Sequence, residues 1–399
     1  MNPLSLTLRL LGLAAFGSMA SMRVCDPMLG ALGHDFQVST GEASRVIASF
    51  AVAYGVLQLF YGPLGDRLGK VRVINLATAG CAVFSALTAL APSLDILILS
   101  RAAMGGAAAG IIPLSMAWIG DQVAYEQRQA TLGRFMGATV TGMMAGQWFG
   151  GVASEYLGWR AAFGLLSVLF AAAAFTLYRK TGAQRAAHAQ ALSQAPAVPW
   201  QHSFRATLAL LRLPRVRWVL SVTAIEGALA FGTLAFVPNR LVSSLGFSPS
   251  AAGGVMMLYG VGGLLYSQFV TRWLRLLGER GLALLGGALI AVSMWALAFV
   301  ALAAVAVSAC FLAGLGFYML HNTLQTQATQ MAPHARGSAV TLFACLLFLG
   351  QSLGVLVVGS TVDRGGLTAA MALAGLGVLV LAWAVSRRVA GQVVVVPAG

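Results

Sequence analysis

Long apolar stretches recur along almost the whole 399-residue chain. In lipid, a stretch of about 18 or more apolar residues has to satisfy its own backbone hydrogen bonds, and it does so as a membrane-spanning α-helix. Charged residues make up 9% of the chain, against about 25% in soluble domains, so a water-soluble core is excluded. The sequence therefore predicts an all-α integral membrane protein with twelve spans, at residues 8–31, 43–64, 71–91, 94–119, 130–154, 159–178, 216–238, 250–271, 280–300, 302–327, 337–360 and 367–387.

The placement of basic residues predicts the orientation. If the N-terminus is cytoplasmic, nineteen Arg and Lys residues fall in cytoplasmic loops and tails, and four fall on the opposite face: Arg45, Arg160, Arg240 and Arg364. This bias predicts that both termini are cytoplasmic. Nucleic acid is excluded as a partner for the +14 chain, because the basic residues are scattered and have no stacking platform beside them.

A polar segment that contains several prolines separates the sixth predicted span from the seventh. The sequence thus predicts an N-terminal six-helix bundle at 1–180, a cytoplasmic linker at 181–214, a C-terminal six-helix bundle at 215–390 and a tail at 391–399.

The two predicted bundles carry an internal repeat. The segment 146–150, Gly-Gln-Trp-Phe-Gly, matches the segment 350–354, Gly-Gln-Ser-Leu-Gly, 204 residues later. Tyr-Gly-Val at 54–56 recurs at 259–261, 205 residues later. Two matches at nearly one offset, in corresponding spans, indicate two parallel repeats around a central axis.

Local signals predict where individual helices begin. Ser39 and Glu42 fit a capping box that opens the second span, and Ser248 followed by Pro249 opens the eighth. The segment 62–72 is a run of charges between two apolar spans, and we predict that it is a short water-facing loop.

Twelve spans in two groups of six, a central linker and this charged segment resemble the major facilitator superfamily over essentially the whole chain. The loop pattern G-x-x-x-D-R-x-G-R-R of that family is met by Gly62, Asp66, Arg67, Gly69, Lys70 and Arg72.

Two further motifs of the family lie within spans. In the fourth span, the family's arginine with a glycine four residues later is met by Arg101 and Gly105. The antiporter motif of the fifth span is met by Gly133, Gly142, Gly146, Gly150 and Gly151, with Gln147 in place of its proline.

The chain is most similar to the bacterial 12-helix drug:proton antiporter branch. That resemblance implies a secondary transporter of the bacterial inner membrane whose bundles rock against each other. It also implies a conformational latch that holds the bundles in the outward-facing state, at Gly62, Asp66, Arg67, Gly69 and Arg72. Asp121, at the cytoplasmic end of the fourth span, is predicted as a further partner in this latch. We expect Asp66 to pair with Arg67 or Arg72, or to face the helix N-terminus near Gly337. The alternative is a polar turn without a latching role.

Ionisable side chains at membrane depth are the main functional candidates, because each one costs free energy unless it faces a cavity or a partner. Arg23 and Asp26 lie three residues apart in the first span, just before Pro27, which we expect to break that helix. Asp26 is the first candidate for a proton carrier, exchanging its partner between Arg23 and Arg101 as the bundles rock. A permanent Arg23–Asp26 ion pair is the alternative.

Glu226 has no basic residue within two turns, so we predict a second protonation site, a contact to a cationic substrate, or a neutral packing group. The resemblance implies that Arg101 orients the acid of the first span or takes part in proton transfer; the alternative is snorkelling to the interface. His321, with Gln325 one turn later, is expected to face the central cavity.

These arguments give two sets of predicted site residues. The predicted proton-coupling residues are Asp26, Glu226, Arg101 and His321. The predicted substrate-binding residues are Arg23, Gln147, His321, Asn322, Gln325 and Gln351.

The resulting prediction is an exporter of small amphipathic or weakly cationic molecules in exchange for protons. A proton-coupled importer of a small anionic or polar solute, bound by Arg23 and Arg101, is the second hypothesis. A non-transporting membrane receptor or assembly partner is the third. The sequence has no nucleotide-binding motif, metal cluster or nucleophile elbow, so we expect no enzyme, no cofactor and no metal. The expected partners are a small-molecule substrate, protons and membrane lipid, and the expected oligomeric state is a monomer.

Overall fold

The computed structural model describes residues 3–182 and 200–389, and every regular element in these two ranges is helical. The first half comprises α1 Pro3–Arg23, α2 Leu29–Phe36, α3 Thr40–Ala43, α4 Arg45–Leu68, α5 Lys70–Ala89, α6 Leu94–Ala108, α7 Ile111–Gln122, α8 Tyr125–Val152 and α9 Trp159–Lys180. The second half comprises α10 Trp200–Ala209, α11 Pro214–Glu226, α12 Gly232–Leu234, α13 Val237–Leu245, α14 Pro249–Phe299, α15 Ala303–Gln330, α16 Arg336–Val362 and α17 Leu367–Val389. Half of the predicted linker (183–199) and the predicted tail lie outside the described residues.

The described residues contain 10 helical segments that are long and apolar enough to cross a membrane. One of them, α14, is 51 residues long and has a non-helical glycine, Gly278, between the predicted eighth and ninth spans. The fifth predicted span corresponds to α8, a 28-residue helix that is not among the ten. The all-helical prediction is confirmed, and the count of twelve spans stays a prediction.

One helix in each half is interrupted next to a buried charged residue. The first helix ends at Arg23 and continues as a 3₁₀ turn, Asp26–Met28, which confirms the break predicted at Pro27. In the second half, α11 ends at Glu226 and passes into a π-helical turn, Gly227–Phe231. Such π turns inside helices often occur at functional sites.

The prediction of a loop at 62–72 is wrong. Helix α4 runs through to Leu68, α5 begins at Lys70, and Gly69 alone separates them. Gly69 has a φ of 89°, a conformation that glycine adopts without steric cost. The charges therefore lie on the last turns of one helix and the first turn of the next, where they reach water without an extended loop.

The predicted helix starts at Ser39 and Ser248 are confirmed. The Ser39 hydroxyl accepts a hydrogen bond from the Glu42 amide at 3.0 Å, and the Ser248 hydroxyl accepts one from the Ala251 amide at 3.2 Å. Each bond satisfies an amide that has no carbonyl partner within its own helix.

Glycines bring equivalent helices into close contact in the two halves. A Cβ atom at Gly146 of α8 would overlap the Ala20 carbonyl oxygen of α1, and one at Gly350 of α16 would overlap the Ala224 carbonyl oxygen of α11. Both partners of the second contact lie 204 residues after those of the first. The same offset that relates the sequence repeats thus relates two packing contacts.

The two halves meet along two helix pairs, α4 with α16 and α8 with α14, which we call the seam. On the first pair, the Ser352 hydroxyl donates to the Ala48 carbonyl at 3.1 Å. On the second, a Cβ at Gly253 would lie 2.5 Å from the Gln147 carbonyl oxygen. Helix backbones therefore approach closely across the seam, and side chains near it contact both halves.

Candidate functional site

Asp26 lies at the broken end of α1, fully buried at 0% exposure. Its Oδ2 atom accepts hydrogen bonds from Gln147 Nε2 at 3.0 Å and from Arg23 Nη1 at 3.4 Å. Its Oδ1 atom has no hydrogen-bond partner among the described residues. Gln147, which replaces the motif proline, therefore holds the first candidate proton carrier in place.

Arg23 links this carboxylate to the second half of the protein. Its guanidinium carbon lies 4.4 Å from the ring centroid of Phe231, which ends the π-helical turn after Glu226. Because Asp26 and Phe231 belong to different halves, Arg23 contacts both sides of the boundary. A relative movement of the halves has to change at least one of these two contacts.

Glu226 is also fully buried, at 0% exposure, and its partner is His321 of α15. Glu226 Oε2 and His321 Nδ1 are 3.0 Å apart, and Oε1 has no hydrogen-bond partner in the described parts of the chain. His321 is 16% exposed, so it is the member of the pair that reaches accessible space. No partner for Glu226 could be predicted from the sequence, because the histidine lies 95 residues further along the chain.

Aromatic rings surround the Glu226–His321 pair. His321 stacks on Phe317 with centroids 4.9 Å apart and packs against Phe343 at 5.4 Å. Phe317 in turn contacts Phe231 at 4.5 Å and Tyr259 at 5.8 Å. We call these five residues the aromatic cluster. Its three phenylalanines and its tyrosine were not predicted as site residues, since aromatic residues in a membrane helix look alike whether they face lipid or a partner. Only Tyr259 stood out, through the repeat.

Arg101 lies inside the first half and not on the boundary. It is 0% exposed, donates a 2.9 Å hydrogen bond to the Ser21 carbonyl of α1, and lies 4.3 Å from the ring centroid of Phe50. Snorkelling is therefore ruled out. Arg101 binds the backbone of the helix that carries Asp26, and the geometry gives it a positioning contact with that helix.

The remaining predicted polar residues have different surroundings. Gln351 is 0% exposed, and neither of its side-chain amide atoms has a partner among the residues described. Asn322 donates to the Tyr266 hydroxyl at 2.9 Å. Gln325 is exposed.

The predicted latch residues lie at the helix ends around Gly69. Lys70 Nζ is 3.9 Å from Asp66 and also forms a short contact with Asp121 of α7. Lys70, which was not predicted as a latch residue, thus joins two residues that were. Lys70 belongs to the matched loop motif, and that position in the motif is the sequence signal that could have identified it as a latch residue. Among the described residues, neither Gly62 nor Arg72 takes part in this network. Arg67 lies beside Phe204 in an apolar pocket.

At the other end of the seam, each half supplies a carboxylate to a helix start of the other half. Asp363 accepts hydrogen bonds from the Gly41 amide and the Ser39 hydroxyl, both at 2.8 Å. Glu155 accepts one from the Ser250 amide at 2.9 Å. We call these two contacts the crossed caps. Hydrogen bonds from Ser250 lower the pKa of the Glu155 carboxyl to about 2.

Buried charges on the boundary between two repeat-related helical halves are typical of membrane transporters. The chain belongs to the Major Facilitator Superfamily, whose family model matches residues 11–355. It is 25% identical over 349 residues to the uncharacterized MFS-type transporter YceJ of Bacillus subtilis strain 168, covering 84% of this chain and 83% of YceJ. It is 27% identical over 395 residues to Multidrug resistance protein D of Escherichia coli K12, covering 95% of each.

A solved structure shows the same fold. The bacterial homologue of the human lysosomal transporter Spinster, in an inward-facing and unoccupied conformation, matches with a TM-score of 0.75 and 18% identity over 97% of this chain and 98% of that one. As a member of the Major Facilitator Superfamily, the protein is a multi-pass membrane transporter of a small-molecule substrate.

Proposed function

We propose that this transporter exports small amphipathic or weakly cationic molecules in exchange for protons. It has twelve spans in two six-helix bundles, with both termini in the cytoplasm of a bacterial cell. The similarity to Multidrug resistance protein D supports export, because that alignment covers nearly all of both chains. The residues that bind the substrate and the proton are assigned from the contacts on the boundary.

The Glu226–His321 pair within the aromatic cluster is the observation that carries this proposal. Aromatic faces attract cations and also bury apolar groups, so the cluster suits a molecule that has both. A cation close to this pair is favoured when Glu226 is ionised and His321 is neutral. A proton on either group removes that attraction, so substrate and proton compete for one site, which is the requirement for exchange.

Asp26 is the second protonation site in this proposal. In the present conformation two donors hold one carboxylate oxygen, and the other oxygen is without a described partner. When the halves move, Arg23 leaves either Phe231 or Asp26, and the charge next to the carboxylate changes. That change alters the proton affinity of Asp26 during the transport cycle.

The positions of the arginines support export over the import hypothesis. Import of an anion assigns substrate binding to Arg23 and Arg101. Arg101 is fully buried within the first half, and Arg23 is occupied by Asp26 and by the face of Phe231. The receptor hypothesis is set aside, since the chain belongs to a family of transporters.

The crossed caps support an assignment of the conformation. By the charge bias, Asp363 and Glu155 lie at the outer end of the seam, and both caps are formed. The network of Asp66, Lys70 and Asp121 lies entirely in the first half, at the inner end. These observations support a conformation closed to the outside, in which the latch engages the second half only after the bundles have rocked.

Proton release on substrate binding tests the proposal. The full-length protein is reconstituted on a supported membrane, and ethidium, an amphipathic cation, is added while the current is recorded. We expect the wild type to release protons when ethidium is added. Malate, a small dianion, should give no response. Glu126→Gln, which removes an exposed carboxylate away from the site, should respond like the wild type and is the matched control for Glu226→Gln. Proton uptake on addition of malate would instead establish the import hypothesis.

A further inference from the structure

A pocket with basic residues in its lining lies away from the proposed transport site, at the inner end of the second half. Its volume is about 320 Å³, and it lies where α11 begins and where α15 and α17 end. Its lining is mainly basic, polar and aromatic: Pro214, Arg215, Trp218, Gln327, Arg388 and Val389. None of these residues has a part in the proposed exchange of substrate and proton.

The two arginines of this pocket are held in place by neighbouring side chains. The Arg388 guanidinium carbon lies 4.9 Å from the ring centroid of Trp218. Arg215 Nη2 donates to Gln327 Oε1 at 3.3 Å, and Gln327 Nε2 donates to Glu279 at 3.1 Å. The network thus has two guanidinium groups and one carboxylate, so its net charge is +1.

The pocket lies at the level of the membrane surface. Tryptophan is enriched at membrane–water interfaces, and Trp218 lines the pocket. On the same end of α17, Arg387 lies 4.8 Å from the ring centroid of Trp383, which is 53% exposed. Two arginine–tryptophan pairs side by side are the arrangement expected where a spanning helix leaves the hydrocarbon and meets lipid headgroups.

We propose that this pocket binds the phosphate group of an anionic phospholipid from the inner leaflet. Planar guanidinium groups bind phosphate oxygens in a bidentate manner, and a net charge of +1 matches the single negative charge of a phosphodiester. Basic pockets between spanning helices on the cytoplasmic side bind lipid headgroups. Free phosphate has the same binding chemistry, but the two tryptophans at this level favour a ligand that is anchored in the membrane.

Lipid retention by the purified full-length protein tests the proposal. Binding of phosphatidylglycerol, phosphatidylcholine and inorganic phosphate is measured by native mass spectrometry and by thermal stabilisation in detergent. Phosphatidylglycerol is expected to bind most tightly. Arg215→Gln and Arg388→Gln are each expected to weaken its binding about fivefold, because one basic residue near a lipid surface contributes about 1 kcal/mol.

Arg179→Gln is the matched control, since Arg179 is an exposed arginine that packs on Phe175 at the inner end of the first half. It should leave phosphatidylglycerol binding unchanged. Arg388→Lys keeps the charge and should weaken binding less than Arg388→Gln, which separates headgroup binding from a folding defect. Equal binding of the two lipids, or a double Gln variant with wild-type binding, would overturn the site. Stabilisation by inorganic phosphate equal to that by phosphatidylglycerol would overturn the assignment to lipid.

Discussion

The contact of α1 with α8 and the contact of α11 with α16 share their backbone packing and differ in their polar chemistry. In each, a glycine, Gly146 or Gly350, lets two helix backbones approach more closely than any other residue allows. The next residue is a buried glutamine in both halves. Gln147 donates to the carboxylate of Asp26, whereas the position 204 residues after Asp26 is an alanine.

The second half carries its acid elsewhere. Glu226 lies four residues before that alanine and is held by a histidine within the aromatic cluster. The first half holds its acid with an amide and a guanidinium group. The repeat therefore preserved the close helix contact, and the two bundles bring different chemistry to a shared boundary.

If the two acids differ in role, neutralising each should have a distinct effect. Asp26→Asn should abolish transport of ethidium against its gradient, because no proton can be exchanged at the position that links both halves through Arg23. Glu226→Gln should also weaken ethidium binding, because the carboxylate in the aromatic cluster is lost. Uphill transport and binding are measured in proteoliposomes at two pH values. Unchanged pH dependence in both variants would show that neither residue carries the proton.

If the packing of the two halves is equivalent, overpacking should cost each half a similar amount. Gly146→Ala and Gly350→Ala place a methyl group against a carbonyl oxygen, and each should lower the free energy of unfolding by about 1–3 kcal/mol. Gly137→Ala is the control, since a Cβ there meets nothing within 4 Å. Thermal unfolding in detergent measures all three. A large effect in one half only would show that the contacts are not equivalent.

Much of this architecture can be predicted from the sequence, because the length of apolar stretches and the spacing of glycines indicate membrane helices and their contacts. The broken first helix, the two serine caps and the repeat offset all rest on local chemistry, such as the fixed φ of Pro27. The extent of α4 was predicted wrongly for a physical reason. Charges from Asp66 onward end the apolar pattern, but they do not end a helix that continues into water.

The site was only partly predictable, because its contacts join residues far apart in the chain. Glu226 and His321 were both chosen as candidates, but the sequence has no means of pairing them across 95 residues. The aromatic cluster and the crossed caps depend on how the halves pack, and nothing local marks Asp363 or Glu155 as special. Arg101 was chosen from its motif, and the structure assigns it to the interior of one half.

The two repeat-related glutamines should respond differently to the same substitution. Gln147→Leu removes a hydrogen bond to a buried carboxylate and should destabilise the protein by about 2 kcal/mol. Gln351→Leu removes two amide atoms that have no described partner, so stability should be unchanged or slightly raised.

Thermal unfolding of both variants, followed by ethidium transport, distinguishes structure from function at these positions. Lost transport with unchanged stability in Gln351→Leu would assign the amide to substrate binding. Equal destabilisation of both variants would show that Gln351 has a structural partner, and the proposed chemical difference between the halves would then be wrong.

The crossed caps give the smallest effect, and the pH dependence of the Glu155 cap has a definite sign. The pKa of Glu155 falls from 4.5 to about 2, so its cap contributes fully above pH 4.5 and is lost only as the pH falls towards 2. Between pH 5 and 8 the Glu155 cap should not respond to pH. Inter-half distances at this end, measured by paired spin labels, should stay constant over that range in the wild type.

Glu155→Gln keeps a hydrogen-bond acceptor and loses the charge, so it should open the outer end slightly and equally at every pH from 5 to 8. Glu126→Gln, at an exposed position of α8, controls for the loss of one negative charge. If the wild-type distances changed between pH 8 and 5 and the change disappeared in Glu155→Gln, the cap itself would sense protons. The pH dependence of transport would then have to be reassigned from Asp26 and Glu226 on the boundary to the outer end of the seam.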